Sequence, residues 1–172
     1  MTDAILDEGG TLVAYMGEGI MAVFGAPLDQ ADHADRALRT ARNMLTRLER
    51  FNETELRGQA PFRMGIGLNT GEVISGNVGS ERRLEYTTIG DTVNTASRIE
   101  GMTKGTPYAL LMAQTTVDAL LSAPGDMEFF EDLAIRGRSE TVRLWGVRSS
   151  VAPDPSAPGG AQPADDAGRV AR

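Results

Sequence analysis

Asn94 and Arg98 stand four residues apart in a stretch that reads as helix, so one face carries both a carboxamide and a guanidinium. Such a pair suits a ribose oxygen and a phosphate oxygen. Arginine is a planar cation with several donors, and the carboxamide both donates and accepts. The chemistry indicated is recognition of a ribose and a phosphate oxygen; the alternative reading of the pair is a solvated helix face.

The element that must position the pair is the stretch Leu84-Glu-Tyr-Thr-Thr-Ile-Gly-Asp-Thr-Val-Asn-Thr-Ala-Ser-Arg98. It predicts a strand end, a turn at Gly90-Asp91 and then a helix. Asp91 is the expected N-cap, because its carboxylate can accept from free N–H groups of the first turn. Val93, Ala96 and Ile99 are expected on the inward face, opposite Asn94 and Arg98.

Around this stretch the pattern predicts further elements. Apolar runs at 11–16 and 20–24 flank Gly17-Glu18-Gly19 and predict a hairpin. A long helix follows, with Asp29 as its expected cap and Gly58 and Pro61 closing it. Its apolar stripe runs through Ala34, Ala37, Leu38, Ala41, Leu45, Leu48 and Phe51. Arg36, Arg39, Arg42, Arg47 and Arg50 form an expected solvated face, and His33 a surface residue. Strands are predicted at 62–68 and 72–78, with Gly65, Gly67, Gly71, Gly76 and Gly79 as turn and packing glycines. No P-loop and no G-x-G-x-x-G is present. A strand at 108–112, a short helix at 114–121 and a closing hairpin of 129–135 with 141–147 complete the order. Residues 1–10 read as a short acidic segment ending in a Gly9-Gly10 turn. The fold class is α+β, with helices packed on a mainly antiparallel sheet.

Composition narrows the function. The chain has 172 residues, enough for one domain with a real core. Its net charge of −7 argues against non-specific nucleic-acid binding. With no Cys and one His, a disulfide framework is excluded and a structural zinc site disfavoured. No apolar run reaches the roughly 20 residues that span a bilayer, and the acidic N-terminus is not a secretory signal. A cytoplasmic protein is expected. Residues 151–172 are Pro, Ala, Gly, Asp and Ser with little to bury, and are expected to form a disordered tail after a domain at 1–150.

The string Tyr86-Thr-Thr-Ile-Gly-Asp-Thr-Val-Asn-x-Ala-Ser-Arg98 closely resembles the signature of class III nucleotide cyclases, the adenylate/guanylate cyclase catalytic domains. The resemblance implies a ferredoxin-like fold and roles for Asn94 and Arg98 in stabilising the transition state of cyclisation. A second anchor is Gly10-Thr-Leu-Val-Ala-Tyr-Met-Gly-Glu-Gly-Ile-Met-Ala-Val-Phe-Gly-Ala-Pro27. The family's hairpin turn carries an aspartate that ligates two divalent ions, Mg²⁺ or Mn²⁺. The matching residue is Glu18, which keeps the carboxylate but adds a methylene. Ala14 stands where adenylate-forming members carry an adenine-reading lysine. Thr87 matches the other base-reading position and resembles a subset of bacterial adenylate cyclases. In Ile135-Arg-Gly-Arg138, Arg136 matches the family's triphosphate-binding basic residue.

The family's first metal-binding segment, of the type Phe-x-Asp-x-x-Gly-Phe, has no match here, and Asp3 and Asp7 are not in that context. The expectation is therefore a cyclase domain without its first strand and helices. The implied activity is conversion of ATP to cyclic AMP and pyrophosphate, weak or absent in the isolated chain. The alternative is a non-catalytic pseudocyclase that dimerises with a complete cyclase and regulates it. The implied partners are a nucleoside triphosphate and a second cyclase domain, as homodimer or heterodimer, with neither nucleic acid nor a membrane segment.

Overall fold

The structure is a computed structural model and describes residues 1–56, 59–80, 83–134 and 141–148. Arg136, Gly58 and the segment 151–172 lie outside the described residues.

The core is built on one strand whose six residues are all buried. Tyr108–Ala113 (β6) is a continuous apolar run, which is what a strand covered on both faces requires. It is an inner strand of a four-stranded sheet ordered β3-β6-β8-β7, with β3 spanning Ile66–Leu68, β7 Met127–Ala134 and β8 Thr141–Arg148. β3 and β6 run parallel, whereas β6–β8 and β7–β8 are antiparallel. Leu110 and Met112 pack on one side with Leu38, Ala41 and Leu45 of the long helix α2 (His33–Glu55). Leu111, Ala113 and Leu144 pack on the other with Ile99 of α3 (Asp91–Met102). The sheet is thus sandwiched between the two helices.

Two antiparallel ribbons extend the fold: β1 (Thr11–Met16) with β2 (Gly19–Val23), and β4 (Ile74–Ser80) with β5 (Arg83–Ile89). Ile74 pairs with Ile89 and Gly76 with Thr87, so Thr87 and Ile89 share a face. A short helix α4 (Gln114–Asp118) follows β6.

Several boundaries and contacts differ from the sequence reading. Residues 2–7 form a helix, α1 (Thr2–Asp7), whose Ala4 and Ile5 are buried against Met44. α2 begins after Asp32 rather than Asp29. The Asp32 carboxylate makes no cap bond and instead accepts from Arg36 Nε at 2.7 Å. That bond, more than any other cause, holds the Asp32 carboxyl below its ordinary value. The arginines of α2 are partly engaged. Arg39 donates to Glu8, which raises its own pKa, and Arg42 donates to Asp126. Thr40 and Met44 join the buried stripe, whereas Phe51 is exposed and meets Phe62. The strand predicted at 62–68 shrinks to three residues.

Candidate functional site

The site begins at the junction of β5 and α3. Gly90 has a φ of +146°, a conformation open to glycine and costly for side chains with a Cβ. It turns the chain sharply from strand to helix. Its carbonyl accepts from Val93 N at 3.1 Å and Asn94 N at 3.4 Å. The capping position therefore belongs to Gly90, and Asp91 is the first helical residue. The expected N-cap at Asp91 is corrected by one residue.

α3 buries Thr95 and Ile99. Val93 and Ala96, expected inward, are only half-buried, and Thr95 was not foreseen there because the period was read from apolar residues alone. Asn94 and Arg98 are exposed on the other side, one turn apart. Among the described residues, no hydrogen bond or ion pair engages the side chain of Asn94, Arg98 or Thr87. Thr87 lies three residues before Gly90 on β5, its side chain half-buried. One continuous segment therefore carries Thr87 before the strand-to-helix corner and Asn94 and Arg98 after it.

α3 is held directly on the backbone of β3. A Cβ on Gly67 would run into the Ala96 carbonyl and the Glu100 amide. Just past β3, the Asn69 carboxamide donates to the Thr92 carbonyl at 3.0 Å. Thr92 in turn donates from its hydroxyl to the Glu72 carbonyl at 2.8 Å. Asn69 is not among the site residues expected from the sequence. The signal available was a carboxamide directly after closely spaced glycines.

Glu18 lies at the tip of the β1–β2 hairpin, exposed, next to Gly17 with φ +59°. β1 packs beside β5, but no hydrogen bond or ion pair joins Glu18 to Thr87, Asn94 or Arg98 among the described residues. Ala14 is half-buried on β1, opposite Met21. A pair of divalent cations needs several oxygen donors. Among the described residues no group of three or more His, Cys, Asp or Glu is placed to hold a metal ion. Glu18 and its surroundings do not by themselves fit the two-ion site that the resemblance implies. The Tyr86 hydroxyl, adjacent to Thr87, is buried without a hydrogen-bond partner among the described residues.

Residues 2–147 match the family described as the adenylate and guanylate cyclase catalytic domain. The chain belongs to that family. It is 34% identical over 150 residues to "Adenylate cyclase 1" of Rhizobium meliloti, a match covering 85% of this chain and 22% of the relative. It is 33% identical over 157 residues to "Adenylate cyclase" of Anabaena cylindrica, covering 87% of this chain and 30% of that protein. The chain thus spans under a third of the length of either. Among solved structures it resembles the guanylyl cyclase Cya2, with TM-score 0.71 and 34% identity, covering 87% of this chain and 76% of that one. It also resembles the adenylyl cyclase CyaB from P. aeruginosa, with TM-score 0.73 and 27% identity, covering 87% and 77%. The α+β arrangement is that of cyclase catalytic domains. No helix among the described residues is long and apolar enough to cross a membrane.

Proposed function

We propose that this domain supplies the Asn/Arg half of an adenylate-cyclase-type site completed by a second cyclase domain. In that reaction the ribose 3′-oxygen of ATP attacks the α-phosphorus in line, and pyrophosphate leaves. Asn94 orients the ribose. Arg98 holds positive charge against the negative charge that develops on the transferring phosphate. Thr87 contacts the base through a hydroxyl that can donate or accept, and Arg136 contributes charge toward the triphosphate.

The observation that carries this reading is the Asn94/Arg98 pair: exposed, one turn apart, and engaged by no hydrogen bond or ion pair among the described residues. Long cationic side chains left unpaired beside a rigid corner are suited to a ligand. Glu18, on a separate hairpin and not joined to the pair, is consistent with carboxylates and pair acting in different sites of a dimer.

Ala14 favours a second reading, a non-catalytic partner that binds and regulates a complete cyclase. An alanine cannot make the base-reading hydrogen bond of the family's lysine.

The test is complementation. The chain is co-purified with a cyclase chain whose own Asn and Arg equivalents are replaced, and cyclic AMP formation from ATP is measured. Activity should be restored there. It should not be restored with a partner whose metal-binding aspartates are replaced. A heterodimer that forms but rescues neither partner favours the regulatory reading.

A further inference from the structure

We infer that Asn69 is a positioning residue for α3: it fixes the first helical turn, and through it the presentation of Asn94 and Arg98. The inference rests on the site reading above. Its structural half stands on separate observations.

Asn69 follows β3 directly and reaches two elements at once. Its Nδ2 donates to the Thr92 carbonyl at 3.0 Å, and its Oδ1 accepts from Thr115 Oγ1 at 3.2 Å. The Thr92 carbonyl can only accept, and this settles which end of the carboxamide faces α3. The neighbouring Thr70 donates to the buried Thr116 hydroxyl at 3.2 Å. The turn after β3 is therefore tied to the first turn of α4 and to that of α3. Thr92 lies two residues before Asn94. Its carbonyl has a second lone pair beyond any intrahelical bond, and Asn69 uses it.

This bond bears on chemistry because the capping residue of α3, Gly90, carries no side chain. Its N-terminal turn rests on Gly90, on the Thr92 hydroxyl bond to Glu72 and on Asn69. Gly67 sets how close the helix lies to β3, but its contacts are at Ala96 and Glu100, further along. Asn69 fixes the end that carries Asn94. A misplacement of about 1 Å in a catalytic group can cost on the order of 10²-fold in rate.

Aspartate at this position keeps the size of the side chain but replaces the donor with an acceptor facing a carbonyl oxygen. Histidine keeps a ring N–H donor. The variants Asn69→Ala, Asn69→Asp and Asn69→His therefore separate the hydrogen bond from the space filled.

The experiment has two readouts on the full chain. The first is amide hydrogen exchange, which needs no activity. In Asn69→Ala and Asn69→Asp, amides of residues 94–98 should exchange about five- to tenfold faster, with α2 and β6 amides unchanged, and Asn69→His should stay near the parent. Unchanged exchange at 94–98, or a uniform rise across the domain, would overturn the inference. The second is kinetics in the complementing heterodimer. Asn69→Ala should lower kcat at least about tenfold, with KM altered less than about twofold. Combined with Asn94→Ala it should cost less than the product of the two separate losses, because part of its effect passes through Asn94. Full multiplication of the two losses would overturn the positioning role. If the parent chain gives no complementation, the site reading fails, and the exchange result still decides whether Asn69 holds the turn.

Discussion

Gly67 and Glu100 meet backbone to backbone, with the helix that bears the Asn94/Arg98 pair resting on the shortest strand of the central sheet. A side chain at 67 would have to displace main-chain atoms, which cannot swing aside as a flexible side chain can. Gly67→Ala should therefore destabilise the domain by about 2–3 kcal/mol, the range of overpacked cores. Gly76, on β4, has nothing within 4 Å of an added Cβ. Gly76→Ala should be neutral or stabilising by about 0.5 kcal/mol. Urea unfolding of both variants checks the contrast. Equal effects would contradict direct packing of α3 on β3.

Tyr86 buries its hydroxyl with no hydrogen-bond partner among the described residues. Removing an unsatisfied buried oxygen relieves a desolvation cost, while the ring keeps its packing. Tyr86→Phe should raise stability by up to about 1 kcal/mol, where most core substitutions lower it. Thermal unfolding measures this, and a clear loss would show that the hydroxyl has a partner in solution.

Asp32 accepts from Arg36 at 2.7 Å and lies 3.8 Å from Arg39. Its carboxyl is held below the ordinary value of 3.8, first by the Arg36 hydrogen bond. A folded-state pKa below the unfolded one stabilises above the unfolded value and is lost as pH falls through the folded one. Asp32→Asn should thus lower the melting temperature slightly at pH 7. The difference from the parent should shrink as pH drops below 3.8. A difference that persists unchanged in strong acid would assign the effect to something other than charge.

Much of this architecture was legible in the residues, and the misses have physical reasons. The β1–β2 hairpin followed from two apolar runs around Gly17 and Gly19. The β5–α3 corner followed from Gly90, although the cap was displaced by one because a backbone conformation, not the Asp91 side chain, ends the strand. α1 was missed because six residues lack intrinsic helix stability. Ala4 and Ile5 fold there against Met44, and Thr40 Oγ1 donates to the Ala4 carbonyl, contacts that no local pattern encodes. Thr40 escaped the predicted core for a related reason: its side chain is buried with its hydroxyl satisfied by the Ala4 carbonyl. Gly67 of β3 was read among the turn and packing glycines, but only the fold identifies α3 as the element it packs against. At the site, Asn94, Arg98 and Thr87 were legible as one string. The polar ties of Asn69 were not, since they join positions 23 and 46 residues apart.

The central claim is that Arg98 acts on a nucleotide in a site completed by a second chain. The most direct test measures cyclic AMP formation by the heterodimer of this chain with a cyclase chain lacking its own Asn and Arg equivalents. Co-purification must first show that the Arg98 variants assemble as the parent does. Arg98→Ala should lower the restored activity by about 10²–10³-fold, the usual cost of losing a donor aimed at developing charge. Arg98→Lys should recover only a small part, since a point charge does not reproduce the planar fork. Restored activity that is indifferent to Arg98→Ala, in a heterodimer of undiminished yield, would contradict the role assigned to α3.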